Sequence, residues 1–285
     1  MKTDLMSKIK SSAEITERAL KFYLSGDDKD IQVLIDAERY SVMSGGKRVR
    51  PFIVLEVCRM FGGSEEAAIP FAAAVELMHS SSLIHDDLPC MDDDDFRRGK
   101  PSCHKAFGEA NALLAGDSLM MRAFGVCASN DKVPPETARK AVEILAENVG
   151  RNGMVGGQII DLATETQKIG FDLLLKLHAM KTGALIKTAA AFGCLAAGVG
   201  TESEEYKAVI DYAEKIGLVF QIIDDILDMR SGELDAKTTF MSFMNEDEAL
   251  KYAKDITEQA IARIAPYKNH ETLEDLALYL LGRDA

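Results

Sequence analysis

Residues 71–95 read FAAAVELMHSSSLIHDDLPCMDDDD, an apolar run that ends abruptly in a cluster of carboxylates. The apolar residues show no strand-type alternation, so the run reads as a buried helix. Pro89 has no backbone N–H and must end or kink that helix just beyond Asp86 and Asp87. Those two residues then occupy its last turn, and Asp92 returns from the loop. A helix C-terminus carries partial negative charge, so acidic residues there are locally unfavourable. Two carboxylates about 4 Å apart repel by roughly 4 kcal/mol at an effective dielectric near 20. A cation is expected to offset that repulsion.

A second cluster, Asp224, Asp225 and Asp228, lies within GLVFQIIDDILDM (217–229), where nearly every other residue is apolar. Asp224 and Asp228 are four residues apart and stack on one helical face; Gln221, Asp225 and Asp228 share a stripe at steps of four and three. Runs of Asp are usually solvated loops or caps. An apolar helix with one acidic stripe is a poor solvated face and a good wall for a hydrated ion. Aspartate oxygens with no His or Cys cluster beside them favour a hard cation. Magnesium takes one or two carboxylates, keeps waters, and shares its remaining positions with substrate phosphates.

Away from these clusters, apolar residues recur at three- and four-residue spacing. The pattern predicts helices at about 3–25, 30–44, 48–61, 65–88, 105–129, 135–150, 171–198, 203–230, 245–264 and 270–282. Turn signals separate them, including GDDKD (26–30), GGS (62–64), NDKVPPET (130–137) and the stretch from Gly150 to Gly157. No separator is long enough for a domain linker, so residues 1–285 read as one all-α domain.

The formal charge of −13 argues against a nucleic-acid partner, which needs a basic stripe to displace phosphate counterions. It leaves room for a small anion, because a few local cations reverse the field inside one cleft. Five scattered cysteines without C-x-x-C spacing fit reduced thiols in a cytoplasmic protein. The most apolar segment, 182–200, contains Lys187 and falls short of the roughly 20 apolar residues of a membrane span. A buried helix is expected there.

Three basic sets could meet a diphosphate. Gly45-Gly46-Lys47-Arg48-Val49-Arg50-Pro51 places three cations at a helix start, where backbone amides also favour anions. Arg97-Arg98-Gly99-Lys100 follows the first aspartate cluster, and Lys181-Thr182 sits in an otherwise apolar helix. Each set alone could be ordinary solvated charge, and His79, seven residues before Asp86 and near its face, could be a satisfied core residue.

Together these segments resemble the trans-polyprenyl diphosphate synthases, the farnesyl and geranylgeranyl diphosphate synthase family. The resemblance runs through GGKRVRP (45–51), residues 76–117, GGQIIDL (156–162), KTG (181–183) and FQIIDDILD (220–228), in that order. It implies an isoprenoid synthase fold around a central cavity, up to three Mg2+ per site, and a homodimer. By the same resemblance, Asp86, Asp87 and Asp92 would bind magnesium on one wall and Asp224, Asp225 and Asp228 on the other. Arg97, Lys181, Thr182 and Gln221 would contact an allylic diphosphate, and Lys47, Arg50, His79 and Arg98 would hold isopentenyl diphosphate. Asp86, Asp87, Lys181, Asp224 and Asp225 would carry the chemistry. Product length would be set one turn before the first cluster, at the small residues Ser80 and Ser81, which favours C20 over C15 unless Phe107 or Met120 closes the cavity.

The chain departs from the family in the connection 229–240, about ten residues shorter than usual: Lys237 matches one of two expected lysines and the other has no counterpart. Two rival readings remain at this level. A class I terpene cyclase shares the fold, but it needs aromatic side chains to cradle cations, and this chain has no Trp and 7% aromatics. A non-catalytic subunit that binds prenyl diphosphates is opposed by two intact aspartate clusters.

Overall fold

The computed structural model describes residues 2–164, 166–232 and 237–283. Helices α1 (Lys2–Tyr23), α2 (Gln32–Val42), α3 (Val49–Met60) and α4 (Glu65–Asp86) lead to a two-stranded hairpin, β1 (Phe96–Arg97) and β2 (Lys100–Pro101). Next come α5 (Cys103–Phe107), α6 (Glu109–Ala128), α7 (Pro135–Val149), α8 (Met154–Thr164) and α9 (Phe171–His178). A π-helical turn, Ala179–Gly183, joins α9 to α10 (Ala184–Ala196), followed by α11 (Glu204–Ser231), α12 (Glu246–Ile264) and α13 (Glu271–Leu281).

The centre is α4, packed on α3, α6, α10 and α1. Its buried surface is rich in alanine (Ala67, Ala68, Ala72, Ala73, Ala74), and it faces an alanine-rich α10 across the tilted rings of Phe71 and Phe192, centroids 4.9 Å apart. Small side chains let the axes approach closely. At Gly193 of α10 a Cβ would lie 2.6 Å from the carbonyl oxygen of Val54 on α3. Helix α4 is long and apolar enough to cross a membrane by length and composition. It is buried in the middle of the bundle instead; the segment read as most apolar, 182–200, was expected to fall short of a span.

The helix pattern predicts most of these elements, with three differences. The stretch expected to turn from Gly150 to Gly157 turns only through residue 153, and α8 begins at Met154. Its glycines serve a close contact: a Cβ on Gly157 would stand 2.4 Å from the backbone nitrogen of Lys181. The single helix expected over 171–198 is interrupted by the π turn that carries Lys181 and Thr182. Such turns insert one residue into the helical repeat and are common at functional sites. The helix expected at 105–129 starts earlier and breaks at Gly108, whose φ of 86° only glycine adopts readily. The hairpin at 96–101 is too short to show an alternating pattern.

Gly157→Ala is therefore expected to push α8 from the π turn and to destabilise the protein by about 1–3 kcal/mol, the usual cost of overpacking. Urea unfolding of the variant checks this; wild-type stability would contradict the contact.

Candidate active site

Pro89 ends α4 as expected. The chain turns back at once: Met91 N donates to Leu88 O at 2.8 Å and Asp92 N to Asp86 O at 2.9 Å. This turn brings Asp92 back beside Asp86. Asp86 lines a cavity of about 500 Å³ whose other walls include Leu113, Met120, Met154, Gln158, Leu162, Lys181 and Thr182. The deep surface is apolar, and the polar groups gather at the helix ends.

Asp87 does not line that cavity. It is buried, its Oδ1 accepts from Arg97 Nε at 2.8 Å, and Arg97 Nη2 reaches Asp94 at 2.6 Å. Asp86 and Asp87 are consecutive on the helix end and so diverge by about 100°, which turns Asp87 towards the hairpin. The hairpin register, Arg97 opposite Lys100, fixes the guanidinium there.

The chain-length positions also shift. Ser81 is buried and donates to Gly116 O at 2.7 Å, while Ser80 faces a small pocket beside Asp87, Arg97 and Tyr40. Neither is on the main cavity's lining, whose α4 residues are His79, Ser82, Leu83, His85 and Asp86. Met120 lines the cavity, whereas Phe107 packs edge-on against Tyr40, centroids 5.3 Å apart.

The second aspartate cluster is not on that lining: Asp225 and Asp228 line a separate pocket of about 220 Å³ with Asp161, His178 and Lys237, and Lys181 of the cavity reaches it through Asp161. Gln221 Oε1 accepts from Thr182 Oγ1 at 3.1 Å and lies 2.9 Å from His178 Nδ1. Burial pulls the His178 pKa down to about 4, opposed by the Gln221 bond, so the ring is neutral and donates from Nδ1. Asp225 Oδ2 accepts from Phe240 N at 2.7 Å, tying α11 to the chain beyond the short connection. Of that connection, residues 233–236 lie outside the described residues.

Two residues that the sequence reading does not single out join the walls. Asp161, buried on α8, receives Lys181 Nζ at 2.5 Å and Lys237 Nζ at 3.5 Å. A lone carboxylate in the apolar GGQIIDL segment was its only sequence signal. Arg283 lies 3.0 Å from Asp224 Oδ1 and 4.5 Å above the Phe220 ring, and nothing local marks it out. Gln158, on the cavity wall, has no partner for its buried Nε2 among the described residues.

Beside the main cavity lies a basic basin of about 260 Å³ lined by Lys47, Arg50, His79, Arg98, Tyr279 and Arg283. Lys47 Nζ is 3.1 Å from Tyr279 Oη, and Arg50 Nη1 is 3.3 Å from His79 Nε2. Burial, then the neighbouring guanidiniums of Arg50 and Arg98, hold the His79 imidazole well below its ordinary pKa. Arg50 lines both basin and cavity, so the two are neighbours.

Burial raises the pKa of Asp86 to about 6 against Lys181, which lowers it; Asp224 rises to about 6 against Arg283, and Asp225 to about 7 against the Phe240 N–H. The surrounding cations therefore compensate these carboxylates only in part. No three His, Cys, Asp or Glu side chains converge into a closed metal cage among the described residues. Paired carboxylates with open positions are nonetheless the donor set that suits a magnesium ion shared with phosphate oxygens.

An apolar helical cavity, acidic walls and an adjoining cationic basin define a protein that handles a long apolar molecule with a strongly anionic head. The polyprenyl synthetase family model matches residues 31–248. A geranylgeranyl diphosphate synthase of Cyanophora paradoxa is 42% identical over 249 residues, covering 83% of this chain and 82% of its own length. Large subunit 1 of the heterodimeric chloroplastic geranylgeranyl pyrophosphate synthase of Arabidopsis thaliana is 37% identical over 292 residues, 96% of this chain and 78% of its own. An FPP/GFPP synthase from Zymomonas mobilis superposes with a TM-score of 0.93 at 35% identity, covering 99% of this chain and 100% of its own. The chain belongs to the polyprenyl synthetase family and has its all-α isoprenoid synthase fold. It is a prenyltransferase.

The raised carboxylate pKa values carry a sign. The native state binds protons that the unfolded chain has already lost, so these groups make stability fall as pH rises from about 4 towards 7. Asp225→Asn keeps an acceptor for Phe240 N and removes one such charge. Thermal melts in EDTA are expected to show the variant matching wild type near pH 4, gaining on it as pH rises to about 7 and levelling off above that; a difference independent of pH would contradict this.

Proposed function

We propose that this prenyltransferase condenses isopentenyl diphosphate with an allylic diphosphate (dimethylallyl, geranyl or farnesyl) to a short-chain product, geranylgeranyl diphosphate in preference to farnesyl diphosphate. The observation that carries the reading is the juxtaposition of two anion sites at the mouth of one apolar cavity, with Arg50 common to both linings. Two relatives whose names specify geranylgeranyl products support the C20 preference, as does the small Ser82 on the cavity wall.

In this reading Asp86 and Asp92 hold magnesium from one side and Asp224, Asp225 and Asp228 from the other. Asp87 acts indirectly, by fixing Arg97. The bound ions would supply positive charge to the diphosphate as the allylic carbon–oxygen bond breaks. Lys181, Thr182 and Gln221 orient the same diphosphate, and Asp161 holds Lys181 and Lys237 towards it. Arg283, now on Asp224, is the basic group nearest to exchange partners when ions and substrate enter. Lys47, Arg50, His79 and Arg98 hold isopentenyl diphosphate so that its double bond faces the allylic carbon. The new carbon–carbon bond forms as diphosphate departs, and the released diphosphate accepts the proton lost from the adduct. The apolar walls exclude water from the cation.

The reading treats residues 1–285 as one catalytic domain and extends to a homodimer. Leu114 and Met121 on α6, one heptad apart, are 55% and 64% exposed, and Val155 and Ile159 on α8 are also exposed, a set of apolar side chains suited to a second copy. The five cysteines are free thiols, which supports a reducing, cytoplasmic setting.

Incubation with labelled isopentenyl diphosphate and each allylic primer should give an elongated C20 diphosphate by chromatography, lost in EDTA and restored by Mg2+. Cyclised hydrocarbon, or no product, would overturn the assignment. Asp86→Asn and Asp224→Asn should each lower turnover on the order of 100-fold or more, as for lost transition-state charge stabilisation.

A further inference from the structure

Beneath the basic basin, Arg48 and Glu76 form an ion pair with side chains 0% and 2% exposed. Arg48 Nη1 donates to Glu76 Oε1, and Nη2 to Val42 O at 2.6 Å. Glu17 Oε1 stands 3.9 Å away. The Arg48 backbone is left-handed, with φ 50° and ψ 42°. That region is unfavourable for a residue with a long side chain. A buried ion pair is also a poor stabiliser compared with an apolar pair of the same volume. Two costs thus converge on one residue, at the edge of an anion site, which is where strain is worth reading as function.

The geometry shows what this conformation achieves. Positive φ at Gly45, Gly46 and Arg48 folds the turn so that the Arg48 side chain is buried against Glu76 as part of the basin's lining, with Lys47 and Arg50 beside it. Arg98 donates to Gly45 O, and its guanidinium packs so tightly on Gly46 that a Cβ there would lie 2.8 Å from Cζ. On α4, Glu76 lies one turn before His79, the partner of Arg50. The buried pair therefore sets the register of the turn against α4, and with it the spacing of Lys47, Arg50, Arg98 and His79.

We propose that Arg48 and Glu76 are positioning residues that preorganise the basin for the diphosphate of the non-allylic substrate, an inference that rests on assigning the basin to isopentenyl diphosphate. Simple electrostatics has the opposite sign. A carboxylate under an anion site repels the anion, so its neutralisation alone would tighten binding.

The test is Glu76→Gln, with steady-state kinetics in both substrates and calorimetric titration of isopentenyl diphosphate. The expected result is a rise of roughly 10- to 100-fold in KM and Kd for isopentenyl diphosphate, with KM for the allylic substrate unchanged. A double variant, Arg48→Met with Glu76→Met, fills the same space without charge; it should keep the wild-type Tm and still show the rise. An unchanged or lower isopentenyl diphosphate KM in Glu76→Gln, a loss shared equally by both substrates, or a double variant with wild-type KM would overturn the proposal. Wild-type enzyme that binds no isopentenyl diphosphate, or binds it equally after Arg50→Ala, would instead remove the basin assignment and the proposal with it.

Discussion

Carboxylates crowd the ends of α4 and α11, Asp86 in an apolar cavity and Asp225 in a second pocket, and burial raises the pKa values of Asp86, Asp224 and Asp225 despite the cations around them. In water such groups would be hydrated and separate; here α4 and α11 hold them in place. The surrounding cations are organised around that excess of negative charge. Lys181 reaches in from the π turn, Arg283 closes on Asp224, and Arg97 is held by Asp87 and Asp94. Each neutralises part of the field. A binding site for an ion-bridged diphosphate is in this sense a charge imbalance that the fold keeps from relaxing.

Keeping it from relaxing depends on close packing of small residues. Gly157 admits the π turn against α8, and Gly217 brings α11 so close to Gly183 that an added Cβ would sit 3.2 Å from its Cα. These contacts set the positions of Lys181, Thr182 and Gln221 with little freedom. The same logic extends to the basic basin, where Gly46 lets Arg98 lie directly on the main chain. Site geometry and core packing are therefore one structure: the residues that touch substrate in the proposed reaction are held by backbone approaches several residues away.

Much of this was legible in the sequence, because its strongest signals are local. An apolar helix that ends in carboxylates, or carries them at i and i+4, announces both its fold and its chemistry, and both aspartate clusters occupy the helix ends or faces expected of them. The basic turn at 45–51 likewise gathers with His79 and Arg98 as anticipated. What escaped notice depends on distance in sequence or on fine rotation about a helix axis. Asp161 acquires meaning only when Lys181 and Lys237 arrive from other elements, and Arg283 only when the end of the chain folds back on Phe220 and Asp224. Adjacent residues on one helix differ in direction by about 100°. That single step separates Asp86 from Asp87, and Ser82 from Ser81, in what each side chain faces. Helix α8 was hidden because its glycines read as a turn, although they mark a tight contact.

The most direct measurement is anomalous diffraction from crystals grown with Mn2+ and a non-reactive thio analogue of an allylic diphosphate. Peaks bridging the analogue to Asp86 and Asp92 on one side and to Asp224 and Asp228 on the other are the result this account requires. Metal found on one wall alone, or a diphosphate bound with neither aspartate cluster in contact, would contradict it.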